Sequence, residues 1–435
     1  MSPVTVGILG SALLLFLLFL GMPIAFVMMF VGFLGISYLT SVHAALPVIA
    51  KTVYETASYY PYTIIPLFIL MGGFAGNAGI TRELYRSFDK WFRKLPGGLG
   101  IATISACAFF AALSGSSVAA SAAMGTIAIP EMRRFNYAPK LAVGAVAAGG
   151  TLSFLIPPSL GFVVYGMLTE QSIGKLLVSG IFPGILLSLA FVTIVIFQVK
   201  INPSLAPATL GEVSFKEKLL AFSGVWETLI VFFIVMGGIY GGFINPTEAG
   251  AIGATALFVI VLLKKKLSLH NLSTSLLEAV RISVLVLFLV AGANVFSYFL
   301  ALSTIPTAVS FWMAGLHVSR YIILAIIVFI YMMLGCFLDA ISMMVLTMPV
   351  IFPVVKTLGF DPIWFGVICV IMMEAGLITP PVGLNVYTLA GVVKDVPMQT
   401  IFRGAMPFLI SMIVVVTLIT IFPKIALFLP SMMGR

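Results

Sequence analysis

Charge is what this sequence has least of. Only 9% of its 435 residues are Asp, Glu, Lys or Arg, where an ordinary soluble domain carries about a quarter. That scarcity excludes a cytoplasmic or secreted globular protein. Histidine is nearly as rare: His43, His270 and His317 lie far apart at predicted segment ends, and no H-E-x-x-H occurs. The three cysteines, Cys107, Cys336 and Cys369, sit in apolar runs without ligand spacing, so neither a disulfide framework nor a metal cluster is implied. A G-x-x-x-x-G-K-[ST] is missing too, which excludes a P-loop in this chain.

What fills the space is hydrocarbon. Hydrophobic residues make up 61% and mean hydropathy is +1.20, the opposite of a disordered composition. A bilayer crossing uses about 20 apolar residues, so this length holds roughly ten to fifteen membrane segments. The first run, Val4 to Leu20, lacks a basic flank and a cleavage site and is expected to be a mature span rather than a signal peptide. The net charge of +9 reports topology in such a chain, because Lys and Arg collect on the cytoplasmic side.

The chain repeats itself. Pro23, Pro130, Pro139 and Pro157 recur 223 residues later as Pro246, Pro353, Pro362 and Pro380. Ile156-Pro-Pro-Ser-Leu-Gly161 matches Thr379-Pro-Pro-Val-Gly383, and Tyr165 matches Tyr387. Four prolines in register predict two repeats, 1–215 and 216–435, the architecture of a secondary transporter. Five crossings are expected in the first half, about 4–20, 23–41, 61–79, 140–170 and 178–198. The segment 98–130 is too long for one crossing, too short for two, and basic at both flanks. It is predicted to be a re-entrant hairpin with its tip at Ser114-Gly115-Ser116-Ser117, tolerated at depth only under protein cover. Five crossings and a hairpin turn the second half over, so the repeats are expected to be inverted, with a second hairpin at about 321–356 and both termini outside. Of the 23 basic residues, 17 fall in predicted inside loops and 6, Lys175 and Arg435 among them, outside; His317 is placed outside as well. Two mixed segments, 43–58 and 264–280, read as helices lying at the interface or as plain connectors.

Each half also predicts a broken helix, at 140–170 and 362–393. A Pro-Pro pair removes two backbone donors and frees carbonyls of the preceding turn. Beside Ser and Thr hydroxyls, such carbonyls are the oxygen ligands hard cations require, while restarting half-helices offer positive N-termini to an anion. The plain structural alternative is a kink with small residues for close packing; two breaks at equivalent positions, each with a hairpin tip, favour a site. The candidate residues are Ser114, Gly115, Ser116 and Ser117 at the first tip and Thr151, Pro157, Pro158 and Ser159 at the first break. In the second half they are Gly335, Asp339 and Ser342 at the tip, then Glu374, Gly376, Thr379, Pro380, Pro381 and Asn385. Ser116, Ser117, Asp339 and Thr379 are the Na⁺ candidates. Asp339 and Glu374 are acids in apolar surroundings and hence functional candidates, although Glu374 equally suits a structural acid. On this alignment Asp339 faces Val118, and Asn385 faces Val163, which makes Asn385 a candidate substrate contact. The Met pairs (28–29, 343–344, 372–373) are read as lipid-facing or packing surface. Because hairpins and broken helices, about 98–170 and 321–393, hold most midplane polar groups, they are expected to travel as one unit against a more apolar scaffold.

The run Ser114-Gly-Ser-Ser-Val-Ala119 resembles the large membrane subunit of tripartite ATP-independent periplasmic (TRAP) transporters. So do Asn245-Pro-Thr-Glu-Ala-Gly250, Gly359-Phe-Asp-Pro-Ile-Trp-Phe-Gly366 and Gly376-Leu-Ile-Thr-Pro-Pro-Val-Gly-Leu-Asn385. The resemblance implies an all-α polytopic, elevator-type protein of the bacterial inner membrane that imports an organic acid, such as a C4-dicarboxylate or sialic acid. It further implies a Na⁺ gradient as the driving force, a periplasmic substrate-binding protein and a separate small four-helix membrane subunit as partners, and neither an organic cofactor nor nucleic acid. The rival readings are a Na⁺- or H⁺-coupled anion transporter of similar hairpin architecture working without a binding protein, a channel, and a membrane enzyme. For an enzyme the chain offers no nucleophile–base set at membrane depth.

Overall fold

The structure is a computed structural model that describes residues 1–207, 211, 213–315 and 318–433. His317 and Arg435, both expected outside, lie outside the described residues. Every regular element among the described residues is helical. Among them, five helices are long and apolar enough to cross a bilayer, seven if two bent pairs each count as one span, and six apolar helices of 10–17 residues accompany them.

Helix starts follow the sequence signals. Pro3–Phe19 begins at Ser2, whose hydroxyl accepts from Thr5 N–H at 3.2 Å, and Ile24–Leu39 follows Pro23. In the second half these places are taken by Trp226–Tyr240 and Pro246–Leu263. The Asn245-Pro-Thr-Glu248 run is a capping box: Asn245 Oδ1 accepts from Glu248 N–H, and Glu248 Oε2 from Asn245 N–H, both at 2.8 Å, so two orphan donors of the first turn are satisfied.

Next in the first half come Val42–Ser58 and Ile64–Asn77, parted at Tyr59 and Pro61. The second half differs from expectation here. Residues 264–280 do not form a separate lying segment; from Leu269 they belong to a 35-residue helix, Leu269–Ser303, about 50 Å long at 1.5 Å per residue. The reason is local: Pro61 withholds an N–H and pushes the preceding residue out of the α region, whereas 269–303 contains no proline. The long helix lies on Ile24–Leu39 through glycines. A Cβ built on Gly35 would come within 2.2 Å of the Phe299 ring, and one on Gly292 within 2.6 Å of Ala25 O, the small-residue contact typical of membrane helices.

Both hairpins form. Gly98–Ser114 and Ser117–Arg134 turn at Gly115 (φ +60) and Ser116, and their open ends meet where Leu99 N–H donates to Tyr137 Oη at 3.2 Å. Arg320–Gly335 and Ala340–Thr357 turn across Cys336 to Asp339; Tyr321 and Phe360 rings, 5.8 Å apart, close the open end. Both helices break as expected. The first runs Pro139–Thr151, a short 3₁₀ stretch, then Leu160–Thr169; the second runs Pro362–Gly376, then Leu384–Val392. Pro157–Pro158 and Pro380–Pro381 are both cis.

The halves interlock. A Cβ on Gly144 would come within 2.3 Å of Gly404 O, so the first broken helix lies backbone to backbone on Met398–Ile421. Tyr165 Oη donates to Pro362 O at 2.7 Å. At the ends of the outer helices, Glu83 accepts from Lys264 at 2.5 Å and Lys266 at 2.6 Å, and Lys264 also pairs with the buried Glu227. Burial alone would raise the Glu83 pKa, but the two ammonium groups hold it below the ordinary carboxylate value. Of the Met pairs, Met28, Met343, Met344, Met372 and Met373 are buried, so they serve packing.

Candidate functional site: a cavity between two hairpin tips

The two tips meet. One cavity of about 210 Å³ is lined by Ser114 to Ala119 of the first hairpin and Asp339 to Ile341 of the second. Phe154 and Leu160 of the first break and Leu377 and Leu384 of the second complete that side. Facing them are Gly72, Gly73, Gly76 and Asn77 of Ile64–Asn77, with Glu278 and Ile282 of the long helix. Two hairpins and two broken helices thus share one wall, and two outer helices supply the other.

Each tip ends in an N-cap. Ser116 Oγ accepts from Ala119 N–H at 3.4 Å, and Asp339 Oδ1 from Ser342 N–H at 3.0 Å. Both caps line the cavity, so two helix N-termini present their positive ends to it. The helix starts, Ser117 and Ala340, stand 223 residues apart, which corrects the expected pairing: Asp339 stands opposite Ser116, not Val118. The 223-residue proline offset gives the same pairing; the match of Leu113–Ser121 to Leu334–Ser342, at an offset of 221, shifts it by two residues because the two tip turns differ in length. Counted from the helix starts Leu160 and Leu384, Asn385 faces Gly161 rather than Val163.

Ser117 joins the halves. Its buried hydroxyl donates to Glu374 Oε1 at 3.0 Å, and Glu374 is itself 1% exposed. Among the described residues, the other carboxylate oxygen, Oε2, meets no donor, and Ser114 Oγ and both side-chain polar atoms of Asn385 have no partner. Buried polar groups in that condition are uncommon and ask for an explanation.

The other candidates hold the breaks in shape. Thr151 donates to Ala148 O at 2.6 Å and Thr379 to Ala375 O at 2.7 Å, while Ser159 caps Leu160–Thr169 and donates to Phe154 O. Gly383 N–H donates to Cys336 O at 3.2 Å and Asn385 N–H to Leu377 O at 3.1 Å. Several carbonyls expected to be free therefore already have donors. Gly115 fits against the first break, where a Cβ would lie 3.2 Å from Pro158 O. Gly335 and Gly376 touch through their backbones: a Cβ on Gly376 would lie 2.5 Å from Gly335 Cα. Thr379 and Asn385 do not line the cavity, and Asn385 is wholly buried. Pro157 and Pro158 are buried, whereas Pro380 and Pro381 are exposed. Ser342 lines an adjoining cavity of about 550 Å³ that also contains Asp339 and Arg281.

Sequence reasoning missed Asn77, Glu278, Arg281 and Glu227. Asn77 Nδ2 donates to Ser275 Oγ at 2.8 Å, beside Glu278 on the long helix. A carboxylate in an apolar helix is the signal that would have found Glu227 and Glu278; assigning 264–281 to a loop concealed the second.

Among the described residues, then, this is a multi-pass helical membrane protein with paired hairpins and broken helices around a cavity that both hairpin tips line. Its fold is similar to the crystal structure of the Alcanivorax borkumensis YdaH transporter, with a TM-score of 0.63, 14% identity, and 89% of this chain and 88% of that one covered. Residues 11–425 match the family described as "Tripartite ATP-independent periplasmic transporter, DctM component", and the chain belongs to that family of transporter permeases; it is not an enzyme. The "C4-dicarboxylate TRAP transporter large permease protein DctM" of Pseudomonas aeruginosa is 36% identical over 89% of this chain and 90% of its own. The "Isethionate TRAP transporter permease protein DctMQ" of Oleidesulfovibrio alaskensis is 35% identical over 95% of this chain and 65% of its own longer one.

Proposed function

We propose that the chain is the large subunit of a Na⁺-coupled TRAP transporter that imports an organic acid across the bacterial inner membrane. A periplasmic binding protein delivers the acid, and a separate small four-helix subunit braces the outer helices. The carrying observation is the cavity that both hairpin tips line together with Asp339. Its donor set is all oxygen: the Asp339 carboxylate, the Ser114 hydroxyl without a partner, and the hydroxyls of Ser116 and Ser117. That chemistry fits a hard monovalent cation. Two carboxylates, Asp339 and Glu278, line the cavity without any Lys, Arg or His, so an anion enters favourably only after a cation has neutralised them. The relatives' names, one a C4-dicarboxylate permease and one an isethionate permease, support a small organic anion as cargo.

The halves, 1–215 and 216–435, are read as inverted repeats that place the hairpins on opposite faces, with the four polar elements (98–170 and 321–393) sliding as one body. The Ser117–Glu374 bond and the Tyr165–Pro362 bond tie the halves within that body. The surface it slides on is smooth: a Cβ on Gly72 would stand 3.0 Å from Ser114 Cα.

Reconstituted with both partners, the chain should take up an organic acid only with an inward Na⁺ gradient and only with the binding protein present; uptake indifferent to Na⁺ would refute the coupling. The sliding body is tested by cross-links, each compared with the same protein before cross-linking. A Cys pair at Gly125 and Leu389, which meet across the two halves inside that body, should leave transport intact. A pair at Gly72 and Leu113 should stop it. The opposite pattern rules out the elevator.

A further inference from the structure

The cavity and its neighbour carry information about the cargo that family membership leaves open. They share Asp339 as a common wall. The larger one contains one cation, Arg281, which stands three residues after Glu278 on the long helix and has no ion pair among the described residues. Apart from Ser342 the rest of its wall is apolar, with Phe26, Leu285 and Phe288 prominent. The smaller cavity adds Phe68, Phe110 and Phe154.

We propose that the carried acid is a compact monoanion, a single carboxylate on an apolar body, and that Arg281 is the residue that grips its carboxylate. The inference rests on the proposed transport role and narrows its substrate class. A guanidinium presents two parallel donors to one carboxylate, and one such group is available. A second anionic group on the same molecule would face Asp339 and Glu278 with no fixed cation left, and like charges brought together in this way repel. A polyhydroxylated sugar acid fares no better, since hydroxyls against phenylalanine rings lose hydrogen bonds they had in water. Size points the same way: an apolar cavity of about 150 Å³ accommodates benzene, so 210 Å³ takes a short branched chain or a single ring. The acid lies across the junction, its carboxylate between Arg281 and the cation held at Asp339, its body among the aromatic side chains.

The test uses the purified large and small subunits together in Na⁺, with 3-methylbutanoate, benzoate, succinate and N-acetylneuraminate as probes and the thermal midpoint as readout. The first two should raise the midpoint, at concentrations on the order of tenfold or more below any at which the last two act. Arg281→Gln should abolish the shift and Arg281→Lys should keep part of it, while both retain the stabilisation by Na⁺ alone. Succinate or N-acetylneuraminate acting as well as benzoate would overturn the proposal, as would an Arg281→Gln protein that responds like the parent. The probe series on the parent protein decides the matter even if Arg281→Gln does not fold. Na⁺-driven uptake of a dicarboxylate would sink this inference and leave the transporter reading standing; Na⁺-independent behaviour toward every acid would sink the reading itself.

Discussion

The first hairpin with its break and the second hairpin with its break are built alike and finished differently. In both, a tip N-cap faces the cavity and a tip glycine touches the break behind it. Yet Pro157 and Pro158 are buried while Pro380, Pro381 and Val382 are exposed, with Tyr387 61% exposed beside them. The caps differ too: a neutral Ser116 on one side and a carboxylate, Asp339, on the other. One backbone plan thus yields two environments, one closed and neutral, the other open and charged. What separates them is the surrounding packing and a single side chain, not the plan.

The harshest way to break that comparison is to cut the bond between its two sides. Glu374→Ala leaves Ser117 without an acceptor in a buried place, and uptake should fall at least about tenfold with a lower thermal midpoint. Glu374→Gln keeps an acceptor oxygen and should fold as the parent does. If Glu374→Ala transports normally, the two sides are not coupled through this bond.

Glycine replacement ranks the two tip contacts. Gly376→Ala forces a methyl to 2.5 Å from Gly335 Cα and should cost roughly 1–3 kcal/mol, the range for overpacking. Gly115→Ala, at φ +60 with 3.2 Å to Pro158 O, should cost about 1 kcal/mol. Chemical denaturation of both variants checks the order; a larger loss at Gly115 reverses it.

The caps should differ in function more than in stability. Asp339→Asn keeps an N-cap acceptor but removes the charge, so the Na⁺ concentration for half-maximal uptake should rise several-fold, on the order of what one charge–ligand contact contributes. Ser116→Ala should raise it less. Equal, unchanged Na⁺ activation in both would return the tips to a purely structural role. Exposure itself is read by labelling: a cysteine at Val382 should react quickly and one at Leu155 slowly, and equal rates would erase the contrast between the breaks.

The smallest effect concerns the knot that ties the halves at Glu83, Lys264 and Lys266. Although burial works against it, the lysines keep the folded-state pKa of Glu83 depressed. Its contribution is therefore full above the ordinary carboxylate range and is lost as pH falls through the folded value. Partly exposed as the group is, the loss should stay under about 1 kcal/mol. A Glu83→Gln protein should show a flatter stability profile between neutral and acid pH; an identical profile would count against the pair.

Much of this was legible in the chain. Hairpins, breaks and outer spans are dictated by apolar run length, by Pro and by Gly, all of which act within a turn or two. The misreadings fell where a distant partner decides. Residues 264–280 are mixed in composition, and from Leu269 they run into 281–303 without a proline to end the helix, with Ser275 held against Gly73 and Asn77 of a distant helix. Glu374 allowed a structural and a functional role equally, because its partner Ser117 lies 257 positions away. Asn385, expected as a substrate contact because its counterpart Val163 is apolar, is wholly buried and does not line the cavity.

The sequence by itself determined a polytopic helical protein, since the cost of leaving backbone groups unpaired in hydrocarbon permits little else for so apolar a chain. Only the tertiary structure decided which polar side chains meet. It brought Asn77, Glu278 and Arg281 to the tips of two distant hairpins, because convergence in space follows from how helices stack and not from their order along the chain.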